Sequence, residues 1–267
     1  MNRKTAIIFI TACAAALVLA AAISVAEQTE EFHKTIPGGG KNLDVSLVNG
    51  TVRIASWDSS SIQIDAVKRT NKSAGELDKV EIIVKESGRD LSIAAEKVHS
   101  LRNYPKVIVD MTIRVPRDAK LIKIRTVNGN INCNAVVVDG LFRSVNGNIT
   151  CDDLTGSVSA STTNGNIALD GDFYAENIKT TNGSITVNLN GLTDDCDIHT
   201  VNGSAEISLS RNSDLRLEFK TVNGKFSGSF DGIRDLSIDR RRLTGYYGDG
   251  NPGLTISTVN GDIAFNR

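Results

Sequence analysis

The hexapeptide TVNGNI at Thr126–Ile131 decides the fold, because variants of it recur along the chain. It returns as SVNGNI from Ser144, TTNGNI from Thr162 and TTNGSI from Thr180, and later as TVNGSA, TVNGKF and TVNGDI. The steps between successive Asn-Gly copies in this part are 18, 18, 18, 20 and 21 residues, and the last step is 37. A period of about 20 residues is typical of supersecondary units stacked in one dimension, so most of the chain is predicted to be scaffold.

Each copy carries an Asn-Gly pair flanked by apolar residues at two-residue spacing. The fourth residue before the asparagine is mostly apolar, as are the third and fifth after it, which is the period of a half-buried strand. Asn-Gly tolerates positive φ at both positions and therefore suits a tight turn. The predicted structural turns are Asn128-Gly129, Asn146-Gly147, Asn164-Gly165, Asn182-Gly183, Asn202-Gly203, Asn223-Gly224 and Asn260-Gly261, with an early copy at Asn49-Gly50.

Two all-β architectures fit this pattern. In a β-solenoid, each unit of about 18–21 residues is one rung, and equivalent residues stack about 4.8 Å apart. In a hairpin meander, each Asn-Gly is a type I′ turn between antiparallel strands. The recurrence of the whole hexapeptide favours the solenoid, because stacked threonine and asparagine side chains would form ladders. A second, looser glycine signal in many units predicts a second corner in each rung.

The predicted organisation is a single repeat domain that follows a polar lead. Residues 27–40 end in three glycines and are predicted to be a flexible lead, and residues 41–267 are predicted to form the solenoid. Residues 41–125 would hold degenerate rungs, about four by length, and residues 126–267 the regular ones. The chain stops after an apolar strand with no obvious cap, which predicts an exposed strand edge at that end.

The first 26 residues have the pattern of a targeting segment. Two basic residues precede a long apolar run, which ends at residues 24–26 in a small-x-small cleavage pattern. We therefore predict an exported protein, secreted or held in the periplasm or cell envelope. The alternative is an uncleaved membrane anchor formed by residues 5–26, because the run is long enough to cross a bilayer. Residues 10–13 resemble a bacterial lipoprotein cleavage box, although they lie early in the apolar run.

Charge and motifs argue against several classes of function. The formal net charge is −1, and removal of residues 1–26 takes it to −3. A nearly neutral chain gives no electrostatic reason to bind nucleic acid. The sequence has no GxSxG, P-loop or HExxH motif and no Cys/His spacing typical of a metal site. We therefore predict neither a cofactor nor a resident metal ion.

One interruption of the array is a candidate binding loop. The segment 239–253, DRRRLTGYYGDGNPG, falls where an Asn-Gly copy is due. Insertions in repeat proteins form loops, often on a binding face, although a solvated excursion is the alternative. The residues of this possible binding loop are Arg240, Arg241, Arg242, Tyr246 and Tyr247.

Two further sets of residues deserve a chemical test. Cys133 and Cys151 occupy the same position in adjacent units, where a solenoid would place their Cα atoms within disulfide range. The alternative is a pair of buried free thiols that fill space in the core. Asp152 and Asp170 also share one position, and outward carboxylates of this kind are used by β-helix enzymes that act on polysaccharides. Solvated turn carboxylates and a weak Ca²⁺ site are the competing interpretations.

Two stretches carry a family resemblance. NLDVSLVNGTVRIASWDSSSIQIDAVKR, from Asn42, and IRVPRDAKLIKIRTVNGNI, from Ile113, together with the later TVNG copies, resemble the DUF4097 family, labelled "putative adhesin". The resemblance covers residues of about 41–267 and implies an exported β-strand-repeat protein without enzymatic activity. It supplies no functional residues. Some similar domains accompany envelope-stress systems, which implies a second possible role.

The resulting functional prediction is a non-enzymatic surface or envelope protein that binds or scaffolds. Its partner would be an unidentified surface glycan or protein, with possible membrane attachment through the N-terminal segment. One alternative is a periplasmic partner of an envelope-stress signalling system. The other is a polysaccharide-active β-helix enzyme that uses Asp152 and Asp170.

Overall fold

A computed structural model describes residues 27–98, 105–190, 192, 194–209 and 214–267. The predicted targeting segment, residues 1–26, lies outside the described residues. In the described part almost every ordered element is a strand, and the only helical element is a short 3-10 helix at Ala74–Lys79. The prediction of an all-β chain is confirmed.

The strands alternate with short corners along the chain. Their bounds are β1 (Gln28–Pro37), β2 (Asn42–Ser46), β3 (Val52–Trp57), β4 (Ser61–Thr70), β5 (Val80–Ser87), β6 (Asp90–Lys97), β7 (Ile108–Pro116), β8 (Lys120–Arg125), β9 (Ile131–Asn134), β10 (Val137–Arg143), β11 (Ile149–Asn164), β12 (Ile167–Asn182), β13 (Ile185–Leu189), β14 (Cys196–Asn202), β15 (Ala205–Leu209), β16 (Leu215–Asn223), β17 (Phe226–Gly228), β18 (Arg234–Ile238), β19 (Arg242–Tyr247), β20 (Gly253–Asn260) and β21 (Ile263–Asn266).

Each rung has two sides that meet at an Asn-Gly corner. The sides before the corner stack as sheet A, in the order β5-β6-β2-β8-β10-β11-β12-β14-β20-β16-β19-β18. The sides after it stack as sheet B, in the order β1-β4-β7-β3-β9-β11-β12-β13-β15-β21-β17. The long strands β11 and β12 belong to both sheets, because they bend at Gly156 and Gly171. These bends are the predicted second corner.

The Asn-Gly corners join strands that do not pair with each other. β2 and β3 flank Asn49-Gly50, yet β2 pairs in parallel with β6 and β8, and β3 with β7 and β9. In the described residues no corner asparagine has positive φ, which a type I′ turn requires. The solenoid prediction is therefore confirmed, and the hairpin meander is wrong.

The core lies between the two sheets and is built by the predicted positions. The fourth residue before each asparagine faces inward from sheet A, and the third and fifth after it face inward from sheet B. Almost all of these side chains are buried, among them Val45, Ile124, Phe142, Ile178, Ile198, Phe219, Ile256, Ile131, Ile149, Ile167, Ile185, Ile263, Leu169, Val187, Ile207 and Phe265. Because each rung contributes the same positions, the core is continuous along the stack.

The rungs do not stack in sequence order near the C-terminal end. β20 pairs with β14 on one side and β16 on the other, so Ile256 lies between Ile198 and Phe219. β21 likewise pairs with β15 and β17. The prediction of an exposed strand edge after Asn266 is therefore wrong. The segment β20–β21 is inserted into the stack because its apolar side chains are buried against the rungs on both sides of it.

Both ends of the stack carry antiparallel strands. At the N-terminal end β5 pairs with β6, β1 pairs with β4, and β4 pairs with β7. The flexible lead of residues 27–40 is therefore wrong over β1, whose Phe32 and Ile36 pack against the core. Residues 41–125 supply two rungs, β2/β3 and β6/β7, rather than about four. At the other end β19 pairs with β16, and β18 pairs with β19.

Candidate functional site

The eight corner asparagines form one ladder along the edge of the solenoid. From Asn128 onward, each side-chain amide donates from Nδ2 to Oδ1 of the preceding asparagine in the ladder over 2.7–2.8 Å. The order along the stack is Asn49, Asn128, Asn146, Asn164, Asn182, Asn202, Asn260 and Asn223. The ladder satisfies the amides of the repeat with each other, so these residues have a structural role.

In seven of the eight corners, the residue two positions before the asparagine forms a second, buried ladder. Its hydroxyl donates to the glycine carbonyl of the neighbouring rung over 2.8–3.3 Å. The donors are Thr126, Ser144, Thr162, Thr180, Thr200, Thr221 and Thr258. A buried carbonyl needs a donor, which explains why threonine or serine recurs at this position.

Glycine follows asparagine because the rungs approach each other too closely there for any other residue. A Cβ atom added to Gly147 would lie 2.0 Å from the carbonyl oxygen of Gly129. The same contact recurs with the adjacent rung at the other corners of the array. The stacking of rungs thus explains all three recurring residues of the hexapeptide, which gives them a structural role.

The outer face of sheet B is polar and holds a shallow cavity of about 330 Å³. Arg53, Thr112, Asn132 and Asp152 are among its lining residues. Asp152 lies opposite Asn134 in the register, while Asp170 accepts a hydrogen bond from Asn188 at 3.1 Å. The two carboxylates are thus each next to an amide, and a register shift after Cys151 separates their strands locally. In the described part of the chain no group of three or more His, Cys, Asp or Glu side chains could hold a metal ion.

The predicted binding loop is largely a strand. β19 runs antiparallel to β16, and it buries Leu243 and Tyr247. Tyr247 lies 6.5 Å from Phe265 between ring centroids, and the guanidinium of Arg267 lies 3.7 Å from its ring centroid. Loop geometry is therefore the wrong description of Arg242 to Tyr247, because the alternate side chains of this segment close the end of the core.

The remaining members of that set lie on the surface. Arg240, Arg241 and Tyr246 are exposed, whereas Arg242 donates to Glu218 at 2.8 Å. Lys220, at 2.7 Å, and Arg242 together hold the pKa of the Glu218 carboxyl below its usual range. The carboxylate of Asp239 accepts from the backbone N–H groups of Arg241 and Arg242, which lowers its pKa as well.

The edge strand β18 is the feature that the sequence interpretation missed. All five of its residues are exposed, including Leu236 at 40% and Ile238 at 53%, and its described neighbour β19 exposes Tyr246 at 39%. β18 pairs only with β19, so its outer edge has no strand partner in the described residues. The sequence signal for this strand is the alternation of apolar residues in RDLSI, residues 234–238, which directly precede the 239–253 segment. We call β18 and β19 together the C-terminal cap.

The two predicted disulfide partners face each other. Cys133 and Cys151 are directly paired in the parallel register of β9 and β11, and both are buried with free thiols in this structure. Burial raises the pKa of the Cys151 thiol well above its usual range, and hydrogen bonding to Cys133 adds to the effect. Burial also raises the pKa of Cys196 to about 12. The disulfide itself stays a prediction.

One known protein family matches the C-terminal part of the array. A family model described as Toastrack DUF4097 matches residues 156–266. Residues 156–266 are therefore similar to the Toastrack DUF4097 family. The Toastrack match begins inside β11 and ends in β21, so it spans the inserted C-terminal rung and the C-terminal cap.

The solved structures that resemble this chain are distant from it in sequence. A "putative cell adhesion protein" from Clostridium sporogenes shares 12% identity, with a TM-score of 0.36 over 90% of this chain and 99% of its own. A "putative adhesin" from Bacteroides fragilis shares 12%, with a TM-score of 0.43 over 88% and 97%. A "putative lipid binding protein" from Parabacteroides distasonis shares 12%, with a TM-score of 0.25 over 90% and 96%. No curated protein matches the sequence.

None of the helical segments in residues 27–98, 105–190, 192, 194–209 and 214–267 is long and apolar enough to cross a bilayer.

Proposed function

We propose that this chain is a non-enzymatic, exported binding protein in which the solenoid is a rigid scaffold and the C-terminal cap is the contact surface. The observation that carries the proposal is β18, an edge strand with every residue exposed and no partner on its outer side in the described residues. Exposed apolar residues on an open edge are a known template for strand addition. The ladders give the repeat residues a structural role, so the ends of the stack are the candidate contact surfaces.

The partner that fits this surface is an extended, acidic protein segment. Leu236 and Ile238 offer apolar contacts, and the outer edge of β18 offers main-chain hydrogen bonds. Arg240 and Arg241 are exposed just beyond Ile238, where the carboxylate of Asp239 already accepts from backbone N–H groups, so this end of the surface would attract acidic side chains.

Binding to defined peptides tests the proposal. Residues 27–267 would be titrated with a set of extended peptides that alternate apolar and acidic residues, and with a glycan panel. We expect saturable binding to acidic peptides that falls about ten-fold or more in Ile238→Lys, because a buried apolar contact is replaced by a charge. The double change Arg240→Glu with Arg241→Glu should weaken binding and its salt dependence together.

Matched variants separate the cap from the rest of the surface. Ile108→Lys makes the same substitution at an exposed isoleucine of the other end, and Arg143→Glu reverses one exposed charge on sheet A. Neither should change peptide binding. Equal binding by Ile238→Lys and the parent, or binding that follows Arg143 instead of the cap, would contradict the proposal. Selective binding of glycans would show that the partner is a sugar and not an acidic protein segment.

The exported location rests on residues 1–26 and has its own test. We expect the protein to be recovered outside the cytoplasm with a mature chain that begins at Glu27. Mass spectrometry of the intact protein from fractionated cells measures this directly. Recovery of a chain that retains residues 1–26 and partitions with membranes would show that the segment is an uncleaved anchor.

A further inference from the structure

The Asn223-Gly224 corner is the last rung of the asparagine ladder. In the other seven corners the glycine N–H donates to the asparagine carbonyl of the next rung. These donors are Gly50, Gly129, Gly147, Gly165, Gly183, Gly203 and Gly261, at 2.9–3.2 Å. Gly261 donates to Asn223 itself, at 3.2 Å, which is the longest of the set.

Gly224 has no such acceptor among the described residues. The covering strand β19 pairs with β16 only as far as Lys220, and the N–H of Thr221 donates to the carbonyl of Arg241. Beyond that point Val222 is 46% exposed and Asn223 is exposed. The corner therefore faces solvent on the side where every other corner faces another rung.

The side chain of Asn223 is also held on one side only. Its Nδ2 donates to Oδ1 of Asn260 at 2.8 Å. The asparagines inside the ladder donate with Nδ2 and accept with Oδ1, so both ends of their amide are occupied. At Asn49, where the ladder begins, Gly50 donates to Asn128 and the carbonyl of Asn49 accepts from Val109. Among the laddered corners of the described chain, Asn223-Gly224 is therefore the one in which the glycine N–H has no acceptor and the asparagine Oδ1 has no donor from a neighbouring rung.

Asn-Gly is a reactive sequence, because glycine does not hinder attack of its own backbone nitrogen on the preceding side chain. The Gly nitrogen loses its proton and bonds to Cγ of asparagine, and the C–N bond to the side-chain amide breaks to release ammonia. Water then opens the five-membered succinimide at either carbonyl, which gives aspartate or isoaspartate. Overall, asparagine and water become a carboxylate residue and ammonia, and no oxidant or cofactor is needed.

We propose that Asn223 is a site of spontaneous deamidation in the folded protein, and that the ladder protects the other seven corner asparagines. The N–H that must be deprotonated is hydrogen-bonded at those seven corners, and the amide that must rotate toward it is held by its neighbours. Reaction there requires local opening of the stack, whereas Asn223 reacts from the native state. The product places a new negative charge at the end of the ladder. In the isoaspartate form it also lengthens the main chain between β16 and β17.

The experiment compares identical motifs within one molecule. The purified folded protein is incubated at mildly alkaline pH in heavy-oxygen water, so that opening of the succinimide labels the product. Peptide mapping then measures label and mass change at each of the eight corners. A parallel sample in denaturant reports the intrinsic reactivity of the same sequences. The pair Asn190-Gly191 is followed separately, because Gly191 lies outside the described residues.

We expect all eight corners to be labelled in denaturant, and Asn223 to lead in the folded protein by about ten-fold or more over each of the others, since two hydrogen bonds must break at those. Isoelectric focusing of the intact protein should show an acidic form that Asn223→Ser abolishes. Equal labelling of all corners in the folded protein would overturn the proposal. Full protection of Asn223 in the folded state, while the denatured sample is labelled, would overturn it as well.

Discussion

The side-chain amide of Asn223 donates to Oδ1 of Asn260 at 2.8 Å, although the two residues are 37 positions apart in sequence. Asn260 in turn donates to Asn202, which lies 58 positions away. The last segment of the chain therefore completes a ladder that the preceding segments leave open. Such contacts join a late rung to earlier ones, so the C-terminal end of the array can be complete only after the whole chain is present.

The buried hydroxyl ladder predicts an unequal effect of two neighbouring substitutions. Thr162 is buried and donates to the carbonyl of Gly147 at 3.0 Å, whereas Thr163 is exposed. Thr162→Val keeps the shape but leaves that carbonyl without the donor, so the free energy of unfolding should fall by about 1–2 kcal/mol. Thr163→Val should change it by less than about 0.5 kcal/mol, because other rungs carry valine at that position. Urea unfolding measures both, and equal losses would contradict a special role of the ladder.

The close approach of rungs predicts that the corner glycines cannot be replaced. Gly147→Ala would place Cβ 2.0 Å from a backbone oxygen, which cannot move without separating two rungs. We expect a loss of about 3 kcal/mol or more in the free energy of unfolding, or failure to fold. Gly75→Ala is the control, since nothing lies within 4 Å of a Cβ added there. Thermal unfolding followed by circular dichroism distinguishes them, and a Gly147→Ala protein as stable as the control would refute the corner geometry.

How much of this fold the sequence predicts depends on the range of the interactions involved. The core positions were predictable, because the two-residue period around Asn-Gly is local and every rung repeats it. The insertion of β20 between β14 and β16 was not, because no local signal says which rung a segment will contact. The glycines at 38–40 predict a flexible lead over β1, and the four-residue spacing of Phe32 and Ile36 fits a strand or a helix equally, so only the pairing with β4 identifies the strand. At the C-terminal cap, Leu243 and Tyr247 likewise carried the strand period that the surrounding arginines and glycines obscured.

The register of β9 and β11 makes the disulfide prediction sharp. Directly paired residues on neighbouring strands lie about 4.8 Å apart, within the range of a disulfide, and the closed loop would add about 3 kcal/mol. For residues 27–267 isolated from an oxidising compartment, we expect one free thiol, that of Cys196, after unfolding without reductant. Cys196→Ala should leave none. Thiol counting by mass spectrometry decides, and three free thiols in the parent would show that Cys133 and Cys151 remain reduced.

Cys196 predicts how stability changes at alkaline pH. Burial raises the pKa of its thiol to about 12, and a nearby charge on Asp197 acts in the same direction. The unfolded thiol ionises at its ordinary pKa, so above that pH the unfolded state binds fewer protons than the native state. The stability due to the neutral thiol is therefore complete below the unfolded pKa and is lost as the pH rises toward the folded pKa. The loss per pH unit should approach about 1.4 kcal/mol for this one group.

The variant Cys196→Ala isolates that contribution. Its free energy of unfolding should be lower at neutral pH, because a buried side chain has been shortened, yet it should fall less steeply between the two pKa values. The parent and the variant would be unfolded in urea at a series of alkaline pH values, with Cys133 and Cys151 kept reduced in both. Since Cys151 is also buried with a raised pKa, some slope should remain in the variant. Parallel curves for the two proteins would show that Cys196 does not titrate differently in the folded and unfolded states.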